Sequence, residues 1–185
     1  MAKPTNITPL RKRGAQALAG GNARVQPNDD WGTPAHIFGT VRNDGFNGVI
    51  DLDPATWPSN PTGARVFYTK EDDGLKYAWP AVRIFCNPPY SALERFIDHA
   101  IAAERAGARI YLLVPVRTDA AYHHRLIAAA TDVLFLRGRV KFVRQDGSAP
   151  GSAAFASMIV GLGISTRRLK LGGTIYVPTC LSEAA

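Results

Sequence analysis

The run Asn87-Pro88-Pro89-Tyr90 places an amide, two stiff main-chain acceptors and an aromatic ring side by side. These parts suit chemistry on a planar amine. The lone pair of an exocyclic nucleobase amine is delocalised into the ring, so the nitrogen is a poor nucleophile. A site that accepts both amine hydrogens draws the nitrogen toward tetrahedral geometry and localises the lone pair. The Asn87 side-chain oxygen and a neighbouring carbonyl can do this. Proline suits the second role because its φ is fixed and it offers an acceptor with no N–H of its own. The Tyr90 ring can stack on a base that has left the duplex. Such a group needs no metal and no covalent intermediate for methyl transfer, because the protein mainly orients the reactants. The same four residues could also form an ordinary turn, since Asn and Pro both favour one.

Other candidates surround this run. Asp51 and Asp53 end an apolar stretch, and alternation would turn both to one face, although either could simply cap a turn. Arg117-Thr118-Asp119 follows another apolar stretch and could meet a phosphate or shape a base pocket. Arg137, Arg139 and Lys141 alternate with Gly138 and Val140, which on an extended chain would make a basic strip that contacts DNA, or else a solvated face. Asp72 and Asp73 read as a solvated turn, and Trp79 as core; Trp31 could be core or site. The pair His123-His124 does not share a helix face and lacks a third ligand nearby, so no metal site is expected.

The elements that would hold these residues follow from periodicity. Thr33 and Pro34 read as the cap and first residue of a short helix. Gly48 to Asp53 reads as a strand stopped by Pro54, residues 57–65 as a loop, and 67–75 as a turn-rich connection. Val82 to Cys86 reads as a strand running into Asn87. A helix follows, with Leu93, Phe96, Ile97, Ala100 and Ile101 at helical spacing and Gly107 beyond its end. Further strands are expected over 109–114, 132–136 and 156–160, a helix over 122–130, and an extended piece over 140–142. Repeated strand–helix–strand units imply an α/β fold with a mostly parallel sheet. Ligands would then sit beyond the carboxyl ends of its strands, where Asp53 and Asn87 both fall.

The 185 residues fit one domain. The expected division is a disordered basic tail over 1–28, a catalytic domain over 29–178 and a short tail over 179–185. Of the net charge of +7, the segment before Asp29 supplies five cations (Lys3, Arg11, Lys12, Arg13 and Arg24) and no acid. Such an arm suits phosphate contact or is simply solvated. No run of about 18 apolar residues marks a membrane span, and no apolar stretch follows the basic N-terminus as a secretory signal would require. Cys86 and Cys180 do not make a disulfide framework, which points to a reducing cytoplasm.

Taken in order, several segments resemble the phage-type DNA N6-adenine methyltransferases, the Dam family. They are Asp30-Trp31-Gly32-Thr33-Pro34, Asp51-Leu52-Asp53-Pro54-Ala55, Phe67-Tyr68-Thr69 with Glu71 to Leu75, Trp79, and Asn87 to Tyr90. Val114 to Asp119, Phe135 to Phe142 and a late Ser157 complete the set over roughly residues 29–161. The resemblance implies a seven-stranded Rossmann-like methyltransferase sheet. It implies S-adenosylmethionine as cofactor, double-stranded DNA as substrate, and Asn87, Pro88, Pro89 and Tyr90 as the catalytic set. Trp31, Thr33, Pro34, Asp51 and Asp53 become cofactor candidates, and Arg117, Arg137, Arg139 and Lys141 DNA candidates. A phage or prophage enzyme would act in the bacterial cytoplasm, in protection from restriction or in regulation. One departure stands out: Asp51-Leu52-Asp53-Pro54-Ala55 replaces the usual glycine-rich turn after the first strand.

Rival readings share these residues. Cytosine N4, RNA adenine or a protein glutamine could take the methyl group by the same chemistry. A DNA-binding protein of the same fold without catalysis would fit the missing glycine-rich turn but has no use for Asn87 to Tyr90. A nucleotide-binding α/β protein would need a phosphate-cradling loop that is not present.

Overall fold

The computed structural model describes residues 29, 31–80, 82–145 and 151–179. The basic segment 1–28 and Cys180 lie outside the described residues. Helix α1 spans Ala35–Thr40 and continues into a π-helical turn, Val41–Gly45. Strands β1 (Leu52–Asp53) and β2 (Val66–Phe67) are short. Strand β3 (Arg83–Cys86) leads through Asn87 and a 3-10 turn at Tyr90–Ala92 into α2, Leu93–Arg105. There follow β4 (Arg109–Pro115), α3 (Ala121–Ala129) and β5 (Asp132–Leu136). Strands β6 (Lys141–Phe142) and β7 (Gly151–Ser152) pair with each other alone. Strands β8 (Ser157–Leu162) and β9 (Gly173–Tyr176) close the sequence of elements.

The main sheet has seven strands in the order β2-β1-β3-β4-β8-β5-β9. The strand count agrees with the sequence expectation; the mostly parallel arrangement does not. β2, β1, β3 and β4 are parallel, whereas β4–β8, β8–β5 and β5–β9 are antiparallel and form the longer ladders. The reason is covalent. A parallel pairing needs a long crossover, usually helical, and the chain supplies α2 between β3 and β4. Between β5 and β9 the described residues supply no α-helix, but the antiparallel pair β6–β7, strand β8 and a 3-10 turn at Thr166–Arg168.

Two apolar layers flank the sheet. One packs α3 against it through Leu126 and α2 through Leu93, Phe96, Ile97, Ala100 and Ile101, the last five at the spacing read from the sequence. The other buries Ile37 and Val41 of the first helical segment together with Leu169 of the β8–β9 connection. Trp79 is core, with its indole N–H donating to the Gly74 carbonyl at 3.0 Å. Local boundaries differ slightly from the periodic reading. Pro34 is itself the residue before α1, in extended conformation, and Thr33 makes no cap. Of the stretch 48–53, Leu52–Asp53 form the strand and Ile50 and Asp51 already bond to the flanking chains, whereas Asn47 and Gly48 take positive φ and stay in a turn.

Candidate active site

β1 and β3 are parallel neighbours, so Pro54 and Asn87 emerge at the same edge of the sheet. A cavity of about 620 Å³ opens there. Asn87, Pro88, Pro89 and Tyr90 form one wall. Trp31, Gly32 and Thr33 form another, and Asp53 with the chain through Thr62 forms the floor. The size is within the usual range for a cofactor or substrate site.

Asn87 is anchored by one bond. Its Nδ2 donates to the main-chain carbonyl of Trp31 at 3.0 Å. A carbonyl can only accept, so this contact fixes which end of the amide is the oxygen. The same two segments meet again at Asp29 and Ser91. The Asp29 carboxylate accepts from the Ser91 amide at 3.1 Å and from the Ser91 hydroxyl at 2.5 Å. Gly32 then exchanges two main-chain bonds with Val143, which ties the segment to the hairpin strand β6. A methyl group added at Gly32 would overlap the Trp57 indole as it stands, so the indole packs here directly on the Gly32 main chain. Burial pushes the Tyr90 phenol above its ordinary pKa, so its ring stays neutral.

Asp53 is 2% exposed and is the most perturbed acid of the cavity. Its two oxygens accept from the Ala55 amide (3.2 Å) and the Thr62 hydroxyl (2.8 Å), which folds the loop after β1 over it. Burial nevertheless raises its pKa to about 6, against the pull of those bonds. No cation pairs with it among the described residues. Gly74 packs directly on the Pro54 carbonyl, where a Cβ would not fit, and so brings the 69–75 turn against the loop.

The cofactor candidates thus divide. Trp31, Thr33 and Asp53 line the cavity, and Pro34 and Asp51 do not. Asp51 turns instead to Arg83, which it meets at 2.7 Å and 3.0 Å, and to Arg65 at 3.3 Å. The Arg83 guanidinium holds the Asp51 carboxyl below its ordinary pKa. The DNA candidates all lie outside the cavity. Arg117 pairs with Asp119 at 3.1 Å and lies over the Phe155 ring at 5.2 Å. Arg137, Arg139 and Lys141 are exposed, but Gly138 takes φ +77° and interrupts the extended run. Arg139 spends Nη1 on the carbonyls of Ala153 and Ala154. His123 is buried, with Nδ1 facing the Arg117 amide.

Sequence reasoning missed Asp29, Trp57, Thr62, Lys70, Arg95 and Gln145, all of which line the cavity. The spacing Asp53–Thr62 within a Pro-rich loop was the available signal for Thr62. Nothing in the sequence signals the return of Asp29 to Ser91, 62 positions later.

Comparison with known proteins bears on this site. A family model described as DNA N-6-adenine-methyltransferase (Dam) matches residues 20–169. A DNA N-6-adenine-methyltransferase of Escherichia phage T1 is 27% identical over 118 residues, which are 63% of this chain and 48% of that protein. The chain therefore spans about half the length of the curated relative it matches.

Proposed function

The chain belongs to the DNA N-6-adenine-methyltransferase (Dam) family, and from that premise we propose that it methylates N6 of adenine in double-stranded DNA with S-adenosylmethionine as donor. The observation that carries this reading is the Asn87–Trp31 bond, which commits the amide nitrogen to the protein and leaves Oδ1 to accept at the cavity.

The cavity suits the donor by its charge. Asp29, Asp53, Glu71 and Asp73 line it against two cations, Lys70 and Arg95. Asp53 is buried with no cation beside it among the described residues, and a cationic or hydrogen-bond-donating ligand would stabilise its carboxylate and lower its raised pKa. Trp31, Thr33, Asp53 and Trp57 are the residues that would hold the donor, and the indole of Trp57 gives it an apolar surface. When bound, S-adenosylmethionine supplies an electrophilic methyl group on a sulfonium.

The chain's own groups do the rest. Asn87 Oδ1 and the Pro88 carbonyl accept the two N6 hydrogens and localise the nitrogen lone pair. The neutral Tyr90 ring stacks on the extruded base. The transfer would exchange the methyl–sulfur bond for the N–C bond, leaving a neutral thioether, and one N6 proton is lost to water. The exposed cations at Arg137 and Lys141 meet phosphate outside the cavity. Encoded by a phage or prophage, such an enzyme would act in the cytoplasm of the bacterial host.

The test is product identity. The protein is incubated with S-adenosylmethionine and DNA free of adenine methylation, and the nucleosides are separated by mass. N6-methyladenine is the expected product. N4-methylcytosine would keep the amine chemistry and overturn the substrate. Unmodified DNA would overturn the reading.

A further inference from the structure

Charge is strongly segregated along the chain. From Val133 to Ser182 the sequence holds seven cations, from Arg137 to Lys170, and a single acid, Asp146. Residues 29–132 hold more acids than cations. Four of the seven lie on or near the hairpin and the turn before it. The other three, Arg167, Arg168 and Lys170, stand on the connection between β8 and β9, remote from the cavity in sequence and on no element described above as part of it.

That connection is built to be rigid. The buried Asp132 carboxylate accepts from the Ser165 hydroxyl at 2.5 Å and from the Thr166 amide at 2.6 Å. The Tyr111 hydroxyl donates to the Ser165 carbonyl at 2.7 Å from the sheet below. Thr166 and Leu169 are buried on either side of the two arginines. The outward surface of the turn is therefore Arg167, Arg168 and Lys170, all exposed. Neither arginine has an acidic partner among the described residues, and Lys170 reaches Asp44 only at 3.8 Å.

We propose that the Thr166–Arg168 turn with Lys170 is a second DNA-phosphate contact surface, carrying the duplex backbone from the cavity rim along the side of the molecule opposite α2 and α3. This rests on the DNA-methylating reading above. The path is continuous. Gln145 lines the cavity, Arg144 lies over the Trp31 ring at 5.2 Å, and Lys141 follows on β6. Arg137 donates its amide to the Gly172 carbonyl at 2.9 Å, which joins the hairpin base to the β8–β9 connection two residues beyond Lys170. Arg137 lies just past one end of β5, and the Ser165–Thr166 anchor holds the other end through Asp132. Five strand residues span about 17 Å, close to half a turn of duplex. Cations repeated over such a length, with no exposed apolar side chain between Arg167 and Lys170, fit an extended polyanion. The arginine fork suits phosphate oxygens. Fixing the turn beforehand lowers the ordering cost of that contact.

The test measures binding of the full chain to a short DNA duplex as a function of salt. Each phosphate contact contributes about −0.9 to the slope of log K against log salt. The variant Arg167→Gln/Arg168→Gln should flatten the slope by about 2. The matched variant Arg105→Gln/Arg125→Gln, on the helices of the opposite face, should keep it. A wild-type slope in the first variant, or an equal loss in the second, would overturn the second surface while leaving the methylation reading intact. A wild-type protein with no affinity for the duplex would overturn both.

Discussion

The amide of Asn87 and the carbonyl of Trp31, 56 positions apart in sequence, meet at 3.0 Å and orient each other. The carbonyl cannot donate, so it selects nitrogen and leaves oxygen free. A carboxylate at position 87 would place two acceptors in opposition. Asn87→Asp should therefore lower kcat by about 100-fold or more, the usual cost of losing a placed polar group at a reacting centre. Steady-state methylation of unmodified DNA reads the effect, and retained activity would mean that orientation of this amide is unimportant.

Asp29 acts through Ser91. Its carboxylate accepts the Ser91 amide and hydroxyl, and so fixes Trp31 against the Asn87 loop from the other side. Asp29→Ala should reduce kcat by up to about 100-fold through misplacement, with a stability loss of only about 1 kcal/mol because the pair is exposed. Asp29→Asn keeps one acceptor and should recover part of kcat. A general loss of stability with kcat unchanged would mark the contact as merely structural.

Asp53 makes stability depend on pH in an unusual direction. Its folded pKa of about 6 lies above the unfolded value of about 3.9, so the folded state binds the proton more tightly. Stability should then fall as pH rises from about 4 to about 6, by on the order of 2–3 kcal/mol. Asp53→Asn preserves the shape and can still accept from Ala55, while Thr62 can turn to accept. It should flatten this part of the profile and raise stability at neutral pH, at the expense of donor affinity. Urea melts across that pH range, with calorimetry of S-adenosylmethionine, test both statements. A profile that is unchanged in the variant would remove Asp53 from the explanation.

Gly74 is the point where the 69–75 turn touches the β1 loop. Adding a methyl group would drive it into the Pro54 carbonyl, which belongs to the main chain and cannot swing away. Gly74→Ala should cost about 1–3 kcal/mol and weaken donor binding as the cavity floor shifts. Gly172→Ala meets only an ordinary contact with Arg137 Cβ at 3.9 Å and should cost far less. Thermal melts of the two variants give the comparison.

The half of the fold nearest the site was legible because local signals and tertiary structure agree there. The apolar strand before Asn87, the helical spacing from Leu93 to Ile101 and the glycine at 107 all recur as elements. The other half was misread as a continuation of the same alternation. The segment between Leu136 and Gly173 contains no helix-length periodicity, which already argues against another parallel crossover. β9 gave no signal because all four of its residues are exposed at the edge, so no alternation was needed. Within the site, Asn87 to Tyr90 was legible because the chemistry is contiguous in sequence. Asp29 and Trp57 were not, because their roles come from chain crossings. Asp51 and Asp53 look equivalent in sequence, yet Arg83 takes the first and burial takes the second.

The most direct measurement compares wild type with Asn87→Ala in a single-turnover assay, using labelled S-adenosylmethionine and unmethylated DNA, with donor affinity measured alongside. The account requires N6-methyladenine from the wild type, and loss of transfer in the variant with donor affinity nearly intact. Transfer at the wild-type rate by Asn87→Ala would contradict it.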